Sequence, residues 1–149
     1  MSKIAHFARY AAAFEKAFES NDWSLVEPFF SEDVVYETDF SPLGGVFEGR
    51  AAVVGYLEEV LDRFDRRFES RELALIEGPR EEGDSVWIRG SATYRSPGLP
   101  ELSFILEEIA SFDGEHICRL EDRFDPEALA QIDAYLQEHG ARLGIEVEA

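Results

Sequence analysis

Ile4, Phe7, Ala8, Ala11, Phe14 and Phe18 recur at helical spacing and predict an amphipathic helix over residues 3–19. Ser20-Asn21-Asp22 stops that helix and can cap a short second one, Trp23 to Phe30, with Pro28 near its start or kinking it. Val34 to Thr38 reads as a strand, and Ser41-Pro42-Leu43-Gly44-Gly45 as a loop. After Gly49-Arg50, the residues Val53, Tyr56, Leu57, Val60, Leu61 and Phe64 hold a 3.6-residue period and predict a third helix. Four strand-like runs follow, at 68–77, 85–95, 102–112 and 115–124. Asp113-Gly114 between the last two is a tight-hairpin signal. A closing helix takes Asp125 as N-cap, Pro126 as its first residue and Gly140 just past its end; residues 141–149 form a short unassigned tail.

The predicted order is α-α-β-α-β-β-β-β-α. Consecutive strands with short connections make a mostly antiparallel sheet, and helices segregated in sequence make an α+β fold. A curved sheet wrapped around a long helix leaves a cone with one internal pocket, which is an expectation of that fold class.

Alternation within the strands separates two acids from the rest. In the last strand His116, Cys118, Leu120, Asp122 and Phe124 share one face, and Ile117, Arg119, Glu121 and Arg123 share the other. In the preceding strand Leu102, Phe104, Leu106, Glu108, Ala110 and Phe112 line up together. Glu108 and Asp122 therefore fall among apolar neighbours, a few ladder positions apart when counted back from the hairpin. An unpaired carboxylate there is costly and has its pKa raised, so the two acids form a candidate acid/base pair. The run at 85–95 splits into Val86, Ile88, Gly90, Ala92, Tyr94 and Trp87, Arg89, Ser91, Thr93. If the second set faces inward, Arg89 is the counter-ion of an inward acid; if outward, it is a surface residue. Arg89, Glu108 and Asp122 also suit a buried network that only fixes the core.

Composition narrows the partners. The chain has 149 residues, 32 Asp+Glu against 14 Lys+Arg, and a formal charge of −18. That length predicts a single domain with its core at about residues 4–140. An acidic surface repels phosphate backbones and anionic headgroups, so no nucleic acid and no membrane are expected as partners. Cys118 is the only cysteine, and His6, His116 and His139 show no zinc spacing, so neither a disulfide nor a metal is expected. No 18-residue apolar run and no signal-peptide pattern occur, which predicts a cytoplasmic protein.

Phe30-Ser31-Glu32-Asp33 entering a strand, Gly49-Arg50-Ala51-Ala52-Val53 opening a long helix, and Asp113-Gly114-Glu115-His116-Ile117 before residues 119–125 together resemble the nuclear transport factor 2-like superfamily. Its SnoaL-like polyketide cyclases, ketosteroid isomerases and limonene-1,2-epoxide hydrolases share a cone-shaped fold with one deep pocket. Resemblance to the epoxide hydrolases implies Tyr36 as a water-holding tyrosine, Arg89 as a bridging arginine and Asp122 as general base. Thr38 stands where that group has Asn, and Ser91 where it has the proton-donating Asp. A serine hydroxyl is too weak an acid for that step, so Glu108 is the candidate donor. Against the ketosteroid isomerases, Phe14 replaces the first-helix tyrosine and Thr38 the base. The implied catalytic set is Asp122, Arg89, Glu108 and Tyr36, with Thr38, Trp87, Ser91, Phe104 and Leu106 against the substrate. No cofactor is implied. The expected ligand is a small, mostly apolar molecule, turned over by a hydrolase or an isomerase or cyclase, or only bound. A homodimer through the sheet face is implied.

Overall fold

The computed structural model describes residues 1–40 and 42–146. Three helices, α1 (Lys3–Ser20), α2 (Arg50–Arg63) and α3 (Pro126–Leu143), accompany six strands. These are β1 (Phe30–Thr38), β2 (Gly45–Glu48), β3 (Ser70–Glu82), β4 (Ser85–Arg95), β5 (Leu102–Asp113) and β6 (His116–Phe124). They form one sheet in the order β2-β1-β6-β5-β4-β3. Among the described residues only the β1–β6 pairing is parallel. The architecture is the expected α+β fold: a curved, mostly antiparallel sheet with helices against its concave face.

α1 starts on a Ser2 cap whose hydroxyl accepts from the Ala5 N–H, and it stops at Asn21 in the left-handed region. The predicted second helix is instead two short 3-10 turns, Trp23–Leu25 and Glu27–Phe29. Pro28 accounts for this, because it has no N–H to donate and disfavours helical backbone at Glu27. Starting on the last residue of the predicted loop and running past it is a strand that the hydropathy pattern did not reveal. β2 is only four residues long and pairs Gly45 with Thr38 and Glu48 with Val35. Ser41, within that loop, lies outside the described residues, as do residues 147–149 of the predicted tail.

β3 runs to Glu82, past residue 77 where the predicted run ends and through Gly78-Pro79. As an edge strand it tolerates a proline, and its ladder is irregular between Leu75 and Arg80. α3 begins at Pro126 as predicted but does not end at Gly140, which is buried inside it. The stop is Gly144 at φ 73°, with Ile145 N–H bonded to the Gly140 carbonyl at 2.9 Å and its side chain 4% exposed. A Cβ at this left-handed position meets the Arg67 guanidinium at 3.1 Å. Gly144→Ala should therefore cost about 1 kcal/mol, read as a fall in Tm of roughly 2–4 °C.

Two groups of buried residues hold the layers together. One contains Phe7, Tyr10, Trp23, Phe30, Leu57 and Ile117; the other contains Phe40, Phe64, Phe68, Tyr94, Ile132 and Leu136. The cavity lies where they meet.

Candidate active site

Glu108 and Asp122 are direct partners across the β5–β6 ladder. Counting from the hairpin does not give that register. Asp113 pairs with His116 and Phe112 with Ile117, a count that carried straight on would put Glu108 opposite Glu121. A bulge between Ser111 and Phe112 shifts the register by one, so that Ser111 meets Arg119 and Glu108 meets Asp122. The same extra residue corrects the predicted face of β6. Ile117 is fully buried and His116 exposed, so the alternation through Leu120, Asp122 and Phe124 does not extend back past Cys118.

The pair opens on a cavity of about 240 Å³ between the sheet, α1 and α2. That is near the lower end of ligand pockets, ~300–1,000 Å³. Tyr36, Thr38, Phe104, Leu106, Glu108 and Asp122, all proposed from sequence, line it. The Tyr36 hydroxyl donates a short hydrogen bond to Asp122 Oδ2. Asp122 Oδ1 is buried and accepts no hydrogen bond among the described residues. Thr38 is the neighbour of Asp122 on the β1 side, its Oγ1 accepting from Phe40 N–H at 3.3 Å.

Burial, and after it the charge of Asp122 and hydrogen bonding with it, pushes the Glu108 carboxyl well above the usual carboxylate range. Burial also raises Asp122, but the Glu108 carboxyl and the Tyr36 hydroxyl pull it back. Both carboxyls are thus raised, Glu108 further than Asp122, so of the two facing acids Glu108 is the one that holds a proton more tightly.

Arg89 is not part of this site. The register pairs Ile88 with Glu108 and Arg89 with Glu107, which puts Val86, Ile88, Ala92 and Tyr94 on the concave face. Arg89 therefore lies on the convex face, 3.7 Å from Glu107 and about one-third exposed. Trp87 and Ser91 share that face by the same alternation, so neither is against the cavity; Arg80 lies 4.1 Å over the Trp87 ring. The arginine-bridged acid pair implied by the epoxide-hydrolase resemblance is absent, because a strand residue one position off points through the other side of the sheet.

Six polar residues of the lining, Tyr10, Glu15, Tyr56, Asp65, Arg71 and Tyr94, were not proposed as site residues from sequence. Tyr10 is 4% exposed, and its hydroxyl is raised by burial and by the charges of Glu108 and Asp122. Its signal was present, one turn after Phe7 on the apolar stripe. The tyrosine beside the acids thus sits one turn before Phe14. Tyr56 packs edge-on to Tyr36 with ring centroids 5.5 Å apart and donates to the Leu43 carbonyl at 2.9 Å. Asp65 and Arg71 form a buried ion pair at 2.8 Å, with Tyr94 donating to Asp65 at 3.0 Å. Asp65 sits in a 3-10 turn between Phe64 and Phe68, where neither a 3.6-residue nor a 2-residue period marks an inward position. Burial outweighs Arg71 and Tyr94 and pushes Asp65 up to about 6.

Among the described residues, no group of three or more His, Cys, Asp or Glu is placed to hold a metal ion. No helix among them is long and apolar enough to cross a membrane.

A family model for the SnoaL-like domain matches residues 10–122, most of the chain and all of the lining from Tyr10 to Asp122. The chain belongs to the SnoaL-like family. No curated protein matches its sequence. Solved structures share the NTF2-like, ketosteroid isomerase-like fold. A Burkholderia pseudomallei NTF2-like protein of unknown function is 20% identical, covering 91% of this chain and 98% of its own, with TM-score 0.67. A protein of ketosteroid isomerase-like fold from Catenulispora acidiphila, in complex with trimethylamine, is 18% identical over 82% of this chain and 90% of that one, with TM-score 0.61. TerC, co-crystallised with polyporic acid, is 21% identical over 83% and 95%, with TM-score 0.62. Two of these three neighbours were thus solved with a small organic molecule.

Proposed function

We propose that this SnoaL-like protein takes a small, mostly apolar, carbonyl-bearing molecule into its cavity and moves a proton on it without a cofactor, as an isomerase or cyclase does. The register of Glu108 against Asp122 carries the proposal, since it sets two carboxyls of unequal proton affinity side by side at one end of a cavity lined mostly by aromatic and aliphatic side chains. In the proposed step Asp122 Oδ1 takes a proton from the carbon beside the carbonyl. The C–H electron pair moves into the C–C bond, and the carbonyl oxygen becomes an enolate held by the Glu108 acid proton. Tyr36, bonded to Oδ2, keeps the carboxylate oriented. Opening an epoxide is the weaker proposal, because Arg89 is on the convex face.

Loss of carbon-bound protons from bicyclic ketones in D2O, followed by NMR, tests the reading. Exchange by the wild-type protein that Asp122→Asn and Glu108→Gln each abolish supports it. Exchange that survives Asp122→Asn rejects it.

The burial of Oδ1 favours a second reading, a binding module in which the acid pair only sets specificity. Ketones that raise the Tm of the wild type without exchanging protons would select it. The homodimer through the convex face is likewise a proposal, supported by Trp87, Ile105 and Ile109 standing among charged residues there. A monomer by light scattering at micromolar concentration would reject it.

A further inference from the structure

The cavity has a second polar end. Arg71 reaches from β3 toward α1, where its Nη1 and Nη2 donate to the Glu15 carboxylate at 3.1 and 3.2 Å. Its Nε lies 2.8 Å from Asp65 Oδ2 but off the line of its own N–H, so that buried donor makes no hydrogen bond among the described residues. The Arg71 side chain is 8% exposed, and Arg71, Asp65 and Tyr94 line the same cavity as Glu108 and Asp122. Ala11 and Leu73 are exposed members of the lining, which places the mouth between α1 and β3, beside this end.

An ion pair removed from water is expensive, and an apolar pair of similar volume would seal a cavity wall at lower cost. Among the described residues Arg71 Nε is the one buried side-chain donor without a hydrogen bond, so a ligand acceptor at this end would complete it.

We propose that Asp65 and Arg71 form a distal subsite for a second polar group of the ligand, so that the preferred ligand is polar at both ends and apolar between them. On α1, Tyr10 beside the acid pair and Glu15 beside Arg71 are five residues apart, about 7 Å of helix rise. On β4, Ile88 beside Glu108 and Tyr94 beside Arg71 are six apart, about 20 Å of strand. The two polar groups fall between these limits. The proposal rests on the cavity reading but not on proton transfer.

Calorimetric titration with straight-chain alcohols and the matching α,ω-diols, eight to twelve carbons long, tests it. One diol length should bind the wild type more tightly than its alcohol, although the added hydroxyl makes it less hydrophobic. Asp65→Asn and Arg71→Met should each weaken that diol about tenfold and leave the alcohol unchanged, the alcohol serving as the check on folding. Arg71→Lys, which keeps the ion pair, is the second variant should Arg71→Met not fold, and it should lose the diol preference because it lacks Nε. Diol and alcohol weakened equally, or no diol preference in the wild type, would overturn the subsite. A wild type that binds neither series overturns the cavity as a ligand site, and with it the proposed function.

Discussion

Asp122→Asn is expected to raise stability at pH 8 by about 1–3 kcal/mol while abolishing proton transfer, typically a 10²–10⁴-fold effect for a general base. Asp122 and Glu108 both hold protons more tightly in the folded chain than the ordinary carboxyl does. Their contribution to stability is therefore fully present below the unfolded carboxyl range, at about pH 4, and is lost as pH rises through the folded values. Asp65, pushed up to about 6, adds the same sign in the same window, its stabilisation fading from about pH 4 to above 6. Its shift is on the order of 3 kcal/mol. Wild-type Tm should accordingly climb as pH falls from 8 toward 5. Acidification also relieves the repulsion of a chain carrying −18, so the difference between wild type and Asp122→Asn is the informative quantity. That difference should be large at pH 8, close to zero near pH 4, and little changed by 0.5 M salt, which screens surface charge but not a buried pair. A difference that stays constant across pH would show that the raised titration of this pair does not govern stability. Glu108→Gln should flatten the same profile, since it removes the acid raised further of the two.

Phe64→Ala is expected to be the most destabilising single substitution, by about 3–5 kcal/mol, or roughly 10 °C in Tm. Phe64 is 0% exposed and meets Phe40, Tyr94 and Phe68 at ring-centroid distances of 4.9, 5.2 and 5.4 Å. It ends α2 and immediately precedes Asp65, so it also anchors the turn that carries the distal acid. Chemical denaturation at pH 7 measures the loss. A cost below 1 kcal/mol would mean that the surrounding rings close over the space, and the distal end of the cavity would then be deformable. Phe64→Leu, which retains most of the volume, should cost less than half as much.

Much of the fold was legible because long elements declare themselves by period. α1, α2, β4 and β5 lie where the apolar spacing puts them, since burying one face of a helix or strand requires that spacing, and α3 starts where Asp125-Pro126 places it. The predicted elements that changed are those where local chemistry competed with tertiary packing: Pro28 split a helix into 3-10 turns, β2 was too short for a pattern, and Gly144 rather than Gly140 stopped α3. At the site, alternation alone marks Glu108 and Asp122 as acids on an apolar face, because side chains in a strand alternate strictly. The sequence by itself could not say which acid meets which, which side Arg89 takes, or that Asp65 and Arg71 close on one cavity. A one-residue bulge near Cys118 brings Glu108 opposite Asp122, and the β4–β5 register sends Arg89 outward. Register depends on pairing between strands and on where an extra residue is absorbed, so it is a property of the assembled sheet and not of any one strand.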